Sequence, residues 1–153
     1  MKLSIRGEYA LRALIVLSET YERGIVRIQT ISERQNIPRR FLEQILNDLR
    51  SGGFLESRRG VAGGYRLARA PQEITLAALV HHIQGALPPE PLPGARQASR
   101  GHRPDESAMA IHSVLREVRE AMRAVLEKVT LADLCERARK LRTEQGRGVD
   151  YVI

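Results

Sequence analysis

Two short clusters of polar residues offer the clearest chemistry in this sequence. The first combines guanidinium, carboxylate and amide groups with one aromatic ring: Arg39, Arg40, Phe41, Glu43, Gln44 and Asn47. Arginine can donate two hydrogen bonds to guanine, glutamine or asparagine can pair with adenine, and glutamate can accept from cytosine. The second cluster, Arg58, Arg59 and Gly60, places two cations beside a glycine. These residue types predict contacts with double-stranded DNA.

The first cluster requires a helix that presents it on one side. Within residues 38–51, apolar side chains recur at helical spacing and form the opposite stripe: Leu42, Ile45, Leu46 and Leu49. Pro38 suits the first helical turn, and two glycines after residue 51 end the helix. A shorter helix is predicted for residues 28–35, ahead of a tight turn at Asn36. The two helices together predict a helix-turn-helix.

The second cluster lies at the tip of a predicted β-hairpin, residues 54–58 and 65–68, and residues 25–27 could add a short third strand. Three glycines within residues 60–64 allow the tip to turn tightly. Arg59 either enters the minor groove, where the negative potential is strongest, or contacts a phosphate without specificity. Helix, turn, helix and basic hairpin predict a winged helix-turn-helix, and so a mainly α fold with a small β-wing.

The composition supports this interpretation. Of the 153 residues 42% are hydrophobic but only 4% are aromatic, so the core must be aliphatic. The net charge is +7, and residues 1–70 hold 13 Lys and Arg against 7 Asp and Glu, whereas residues 71–153 hold 12 against 11. The basic half is therefore the half with the helix-turn-helix, which favours a polyanion as partner. A single cysteine excludes an internal disulfide and suggests a cytoplasmic location, and no apolar run is long enough to span a membrane.

The remaining sequence predicts further helices and one loop. A first helix begins at the N-cap Ser4 and ends near Tyr21, and Thr75 caps another helix that ends near Gln84. Residues 86–104 hold four prolines between positions 88 and 93 and are predicted to be a loop.

A long amphipathic helix is predicted from Asp105 to about residue 129. Its apolar stripe includes Val114, Leu115, Val118, Met122, Val125 and Leu126. A stripe of this kind beside a small domain usually packs on another helix. In a DNA-binding protein the expected partner is its copy in a two-fold dimer. Packing within the chain alone is the alternative.

Thr130 and Asp133 form a capping box for a last helix that ends near Arg142. No nucleophile and base at useful spacing, no phosphate-binding loop and no metal-binding motif occurs, so an enzyme is not predicted. The predicted organisation is a DNA-binding domain at 1–85, a loop at 86–104, dimerisation and C-terminal helices at 105–143, and a tail at 144–153.

Several motifs resemble the family of regulators that includes IscR, NsrR and CymR. They are MKLSIRGEYALRAL at 1–14, ISERQNI at 31–37, FLEQIL at 41–46, SRRG at 57–60, GGYRLA at 63–68, ITL at 74–76 and TLADL at 130–134. The resemblance implies a dimeric winged-helix transcription regulator, usually a repressor, on a palindromic operator. It also implies that Glu43 and Gln44 face bases, that Arg59 enters the minor groove, and that helix 106–129 forms the dimer.

The sequence departs from this family in the segment that holds an iron–sulfur cluster in many members. Many members carry three cysteines before the long helix that hold a two-iron, two-sulfur cluster, whereas residues 88–112 contain none. By the resemblance, His112 matches a cluster-ligating histidine of IscR-like members, and Met109 stands where the last cysteine would be. A histidine without thiolates does not hold such a cluster in the usual way. No cofactor and no metal site is therefore predicted, and His112 is expected to be a structural residue.

The sequence is compatible with three kinds of regulatory signal: redox state, a protein partner or a small molecule. Cys135 could sense redox state if it were exposed with a lowered pKa, aided by Arg137 and Arg139, or it could be a buried, inert thiol. The leading hypothesis is a cluster-free cytoplasmic repressor. The alternatives are control by a protein, as in CymR-like members that bind a metabolic enzyme, and control by a small molecule held between the loop and the long helix.

Overall fold

The computed structural model describes residues 3–85 and 106–149, with side chains up to residue 145. Within these ranges the elements follow one another as α1 (Ile5–Glu19), α2 (Ile28–Gln35), α3 (Arg39–Ser51), β1 (Leu55–Arg58), β2 (Gly64–Leu67), α4 (Leu76–Gln84), α5 (Glu106–Lys128) and α6 (Leu131–Val149). The predicted fold class, mainly α with a small β-wing, is confirmed. The predicted loop at 86–104 and the predicted cap at Asp105 lie outside the described residues.

One apolar core joins the first four helices to the start of α6. Its fully buried side chains include Leu14, Leu17, Ile31, Leu42, Ile45, Leu46, Leu49, Ile74, Leu79 and Leu131. All four residues of the predicted stripe on α3 belong to this core, because the helical repeat turns them to the same side. Aliphatic side chains make up most of the core, as the scarcity of aromatic residues predicts.

α1 begins as predicted at Ser4, whose Oγ accepts a hydrogen bond of 3.0 Å from the Gly7 N–H. The helix ends at Glu19, slightly before the predicted end near Tyr21. The difference arises because the chain tightens into a 3₁₀ turn at Tyr21–Arg23, a common way for a helix to end.

α2 and α3 meet at Asn36, which has a positive φ of 51°. Asparagine tolerates this left-handed conformation better than most residues. The turn is held by hydrogen bonds in both directions between Ser32 and Ile37: the Ile37 N–H donates to the Ser32 carbonyl over 3.1 Å, and the Ser32 hydroxyl donates to the Ile37 carbonyl over 2.7 Å. The predicted tight turn therefore places α3 directly after α2.

β1 and β2 form the predicted hairpin, with a register that runs from Leu55 opposite Leu67 to Arg58 opposite Gly64. Leu55 and Leu67 are buried at the base, whereas Arg58 is exposed near the tip. The base of the hairpin is therefore buried in the core, and its tip exposes a cationic side chain to solvent.

The third strand predicted for residues 25–27 is reduced to a single bridge between Val26 and Tyr65. Each residue donates its N–H to the other's carbonyl over 2.9 Å. The pairing extends no further because Arg27 is already the N-cap of α2.

The segment before α4 holds the junction between α5 and α6. Leu76 N–H donates to the Val129 carbonyl, and Leu131 N–H donates to the Ile74 carbonyl, each over 2.8 Å. Thr75 caps α4 as predicted, because its Oγ1 accepts from the N–H three residues later over 3.2 Å. The long C-terminal helices are therefore joined to the DNA-binding half through main-chain hydrogen bonds.

The predicted capping box is confirmed. The Thr130 N–H donates to the Asp133 carboxylate over 2.8 Å, and the Asp133 N–H donates to Thr130 Oγ1 over 3.2 Å. The predicted end of the last helix near Arg142 is wrong, because α6 continues to Val149 and takes in residues 144–149 of the predicted tail. Near the predicted end, Arg142 donates to the Glu19 carboxylate at the end of α1.

Among the described residues, none of the helices combines the length and the apolarity that a membrane crossing requires.

Candidate nucleic-acid interface

α3 presents the polar members of the first predicted cluster to solvent. Arg39, Arg40, Glu43, Gln44 and Asn47 are all exposed, opposite the buried stripe. Arg39 Nε lies 3.4 Å from Glu43 Oε1, one helical turn away. Because exposed ion pairs of this kind are weak, either group can turn to a nucleic acid at little cost.

Phe41 contacts α1, whereas its polar neighbours on α3 face solvent. It is 41% exposed, and its ring meets the ring of Tyr9 edge-on, with the centroids 5.9 Å apart. The Arg12 guanidinium lies over the other ring of this pair, 5.7 Å from the Tyr9 centroid. Phe41 therefore fastens the start of α3 to α1, and only part of its ring is accessible to a ligand.

The second predicted cluster lies at the wing tip. Arg58, Arg59 and Gly60 are all exposed. Gly60 has a φ of +102°, a conformation that side chains rarely permit, and its carbonyl accepts from the Gly63 N–H over 2.9 Å. The glycines thus allow the tight turn that projects both arginines.

A groove of about 620 Å³ separates the start of α2 and the exposed side of α3 from the wing. It brings five of the nine predicted residues together: Arg39, Asn47, Arg58, Arg59 and Gly60. The other four, Arg40, Phe41, Glu43 and Gln44, lie on α3 outside its lining. Five arginines and no carboxylate line the groove, so its surface is strongly cationic.

The sequence-based prediction missed several polar residues of the groove, among them Arg27, Gln29 and Arg50. Arg27 and Gln29 stand at the N-terminus of α2, a position that favours phosphate. Arg50 follows Asn47 by three residues, which puts both on one face of α3. Its Nη1 donates to Ser57 Oγ over 3.1 Å and so links α3 to β1. Helical spacing could have identified Arg50.

The predicted dimerisation residues divide into two groups on α5. Val114, Leu115, Val118 and Val125 are 44–61% exposed. Met122 and Leu126 are half-buried on the side that packs on α4. The apolar stripe is therefore wider than the surface that α4 covers, and packing within the described chain leaves part of it in solvent.

The residues considered for a sensor, Cys135, His112 and Met109, lie on two different helices. The described residues hold no group of three or more histidine, cysteine or acidic side chains that could bind a metal ion. Cys135 is half-buried on α6, with Sγ 3.9 Å from the Ile15 carbonyl, and burial raises the pKa of its thiol. The charged groups that act on it are Glu19, which raises the pKa, and Arg142, which lowers it. His112 and Met109 are on α5 instead.

Comparison with known proteins places the chain among transcription regulators. Residues 3–137 match the Rrf2 family, which is described as iron-dependent transcriptional regulators. The chain is 35% identical over 153 residues to slr0846 of Synechocystis sp., classed with the HTH-type transcriptional regulators, with 100% of each chain covered.

Two solved regulators share the fold. CymR, the global cysteine regulator of B. subtilis, superposes with a TM-score of 0.74 at 27% identity, over 90% of this chain and 98% of CymR. IscR of T. potens superposes with a TM-score of 0.69 at 30% identity, over 90% and 88%. These relatives confirm the predicted regulator family and the prediction that the chain is not an enzyme. The chain belongs to the Rrf2 family and is a DNA-binding transcription regulator.

Proposed function

We propose that this protein is a dimeric repressor that binds a palindromic operator without an iron–sulfur cluster. The observation that carries the proposal is the cationic groove between α2, α3 and the wing. A surface that combines several arginines with exposed amides and no carboxylate suits a polyanion whose bases must also be read.

Within this proposal the groove residues divide into two roles. Arg27 and Arg50, beside a helix N-terminus and at the far end of α3, contact phosphates and fix the position of the domain. Asn47 and the neighbouring Gln44 have the amide groups that pair with adenine in the major groove. Arg59 at the wing tip enters the minor groove.

Arg39, Arg40 and Glu43 complete the proposed base-reading surface at the start of α3. The arginines are suited to guanine and the glutamate to cytosine. Phe41 supports this surface through its contact with Tyr9.

The exposed apolar face of α5 supports the dimer. Ile111, Val114, Val118 and Val125 follow one another at spacings of three, four and seven residues and are each at least 50% exposed. That spacing is the pattern by which helices pack on one another, and burying such a face stabilises association by about 25 cal/mol per Å² of apolar area. A two-fold copy would provide a matching surface and would place two α3 helices on successive major grooves.

The absence of a cluster is proposed from the donor set. An iron–sulfur cluster of this family's kind needs several thiolates, and the chain has one cysteine. That cysteine packs against the Ile15 carbonyl on α1, on a different helix from His112. Cys135 and His112 therefore do not fit an iron–sulfur cluster, although the family is described as iron-dependent. Iron content and visible absorption of anaerobically purified protein test this part, and stoichiometric iron would contradict it.

The main test is selection of fragments from host genomic DNA by the purified protein, followed by sequencing. An enriched palindrome with half-sites about one helical turn apart, or a multiple of it, is expected from a dimeric reader. Salt-sensitive binding to every duplex, with no enriched sequence, would contradict specific reading. Transcription from a promoter that carries the enriched site should fall when the protein is added, and a rise would exclude the repressor role.

A further inference from the structure

A second cationic cavity lies away from the groove, where α1 and α2 end and α6 passes. Its volume is about 660 Å³, within the range of small-molecule sites. Four arginines line it: Arg23, Arg34, Arg139 and Arg142. The thiol of Cys135 forms part of the same wall.

Two of these arginines, Arg34 and Arg142, are paired with the carboxylate of Glu19. Burial raises the pKa of Glu19, but hydrogen bonds from Arg142 and Arg34 outweigh burial and hold it below its ordinary value. Arg34 Nη2 lies 2.7 Å from Glu19 Oε2, and Arg142 donates to Oε1. The Glu19 carboxylate is therefore charged and bonded at both of its oxygens.

The other two arginines have no such anion. Glu136, the second carboxylate of the lining, pairs with Lys140 at 2.8 Å, and Arg139 acts on it only by weaker charge attraction. Neither Arg23 nor Arg139 forms a close ion pair with a carboxylate in the part of the chain that the structure describes. Arginines that line a cavity without a close carboxylate partner are suited to bidentate carboxylate or phosphate.

We propose that this cavity binds a small organic dianion, such as a dicarboxylate or a phosphate monoester, between Arg23 and Arg139. The charge of the ligand is proposed from Arg23 and Arg139, neither of which has a close carboxylate partner among the described residues. The amide of Gln72 and the hydroxyl of Ser18, both in the lining, add neutral hydrogen-bonding groups.

The position of the cavity connects such a ligand to DNA binding. Arg34 belongs to α2 of the helix-turn-helix, and Arg142 belongs to α6, which follows α5 at the Thr130 junction. A dianion between Arg23 and Arg139 lies in the same cavity as the Arg34–Glu19–Arg142 ion pairs, so its charge acts on the link between α2 and α6. This regulatory step rests on the proposed function, whereas anion binding itself does not.

Thermal unfolding of the full chain tests the site, with citrate or inorganic phosphate as the probe and chloride at equal ionic strength as the reference. At about ten times the Kd, the probe should raise the Tm by about 3 °C. The double variant Arg23→Gln/Arg139→Gln should lose this shift. Arg58→Gln/Arg59→Gln is the matched control and should keep it, because the same charge is removed from the DNA-binding groove.

Labelling of Cys135 gives an independent measurement, since it is the only cysteine in the chain and it lines the cavity. The probe should slow alkylation of Cys135 in the natural protein and in the control variant, and leave the rate unchanged in Arg23→Gln/Arg139→Gln. No stabilisation beyond chloride, or stabilisation that only Arg58→Gln/Arg59→Gln abolishes, would overturn the site.

The regulatory step is measured as operator affinity at constant ionic strength. The probe should lower it by about fivefold or more in the natural protein and leave it unchanged in Arg23→Gln/Arg139→Gln. Probe binding without a change in affinity would overturn the coupling. Failure of the natural protein to bind any operator would refute the proposed function, and the unfolding and labelling results would still decide the anion site.

Discussion

Gly64 lies directly against the carbonyl group of Val26, so close that a Cβ at Gly64 would be 2.7 Å from the carbonyl carbon and would overlap its oxygen. The contact lies beside the Val26–Tyr65 bridge, which joins the wing to the start of α2. The wing therefore needs glycine at this position for its attachment to the helix-turn-helix.

Gly64→Ala should lower the free energy of unfolding by about 1–3 kcal/mol, because the methyl group must push the Val26 backbone away and weaken the bridge. Urea unfolding of the purified protein measures the change. Val61→Ala is the control, since Val61 is 97% exposed at the wing tip and its truncation should leave stability unchanged. An unaltered unfolding curve for Gly64→Ala would show that the close contact is not required.

Arg59→Ala should weaken operator binding by about 1–3 kcal/mol if the side chain reads the minor groove. Titration of the selected operator and of a scrambled duplex measures both affinities. A loss confined to the operator indicates sequence reading, whereas an equal loss on both duplexes indicates a phosphate contact. Arg137→Ala removes the same charge from α6 and should change neither affinity; unchanged operator binding in Arg59→Ala would refute the assignment.

Val118→Arg should convert the proposed dimer to a monomer, because it places a cation in the middle of the exposed apolar face of α5. Sedimentation velocity measures the mass, and affinity for the full palindrome should fall with it. Glu120→Arg, on the polar side of the same helix, is the matched control and should remain dimeric. A natural protein that sediments as a monomer would refute the proposed interface.

Glu19→Gln should destabilise the protein at pH 7 by about 1 kcal/mol, a small value because Arg34 and Arg142 are half-exposed. The pKa of Glu19 is lower in the folded than in the unfolded state, so its charge stabilises the fold above about pH 4.3. This contribution is lost as the pH falls through the folded-state pKa. Thermal unfolding should therefore separate variant and natural protein at neutral pH and bring them together in acid. Glu22→Gln, in the exposed 3₁₀ turn, should show no such difference.

Cys135→Ser should leave operator affinity unchanged, both with and without peroxide. Burial raises the pKa of the thiol, so little of the reactive thiolate is present at neutral pH. Electrophoretic mobility shifts before and after oxidation measure the effect. A peroxide response in the natural protein that disappears in Cys135→Ser would make Cys135 a redox sensor.

The sequence alone was sufficient for the local elements of the DNA-binding half. The stripe Leu42, Ile45, Leu46 and Leu49 predicted both the helix and its exposed side, because helical periodicity depends only on residues a few positions apart. The caps at Ser4 and Thr75 were predictable for the same reason. These features made the regulator family recognisable before any packing was known.

Tertiary packing decided what lies together and what stays exposed. Arg27 and Arg50 join the wing arginines only because the chain folds the start of α2 against α3 and the hairpin. The α5 stripe looks uniform in the sequence, yet α4 covers only one side of it. α6 is joined to the end of α1 by a contact between Arg142 and Glu19, which are 123 residues apart. Such long-range contacts leave no periodic signal in the chain, so only the fold could show the cavity around Glu19.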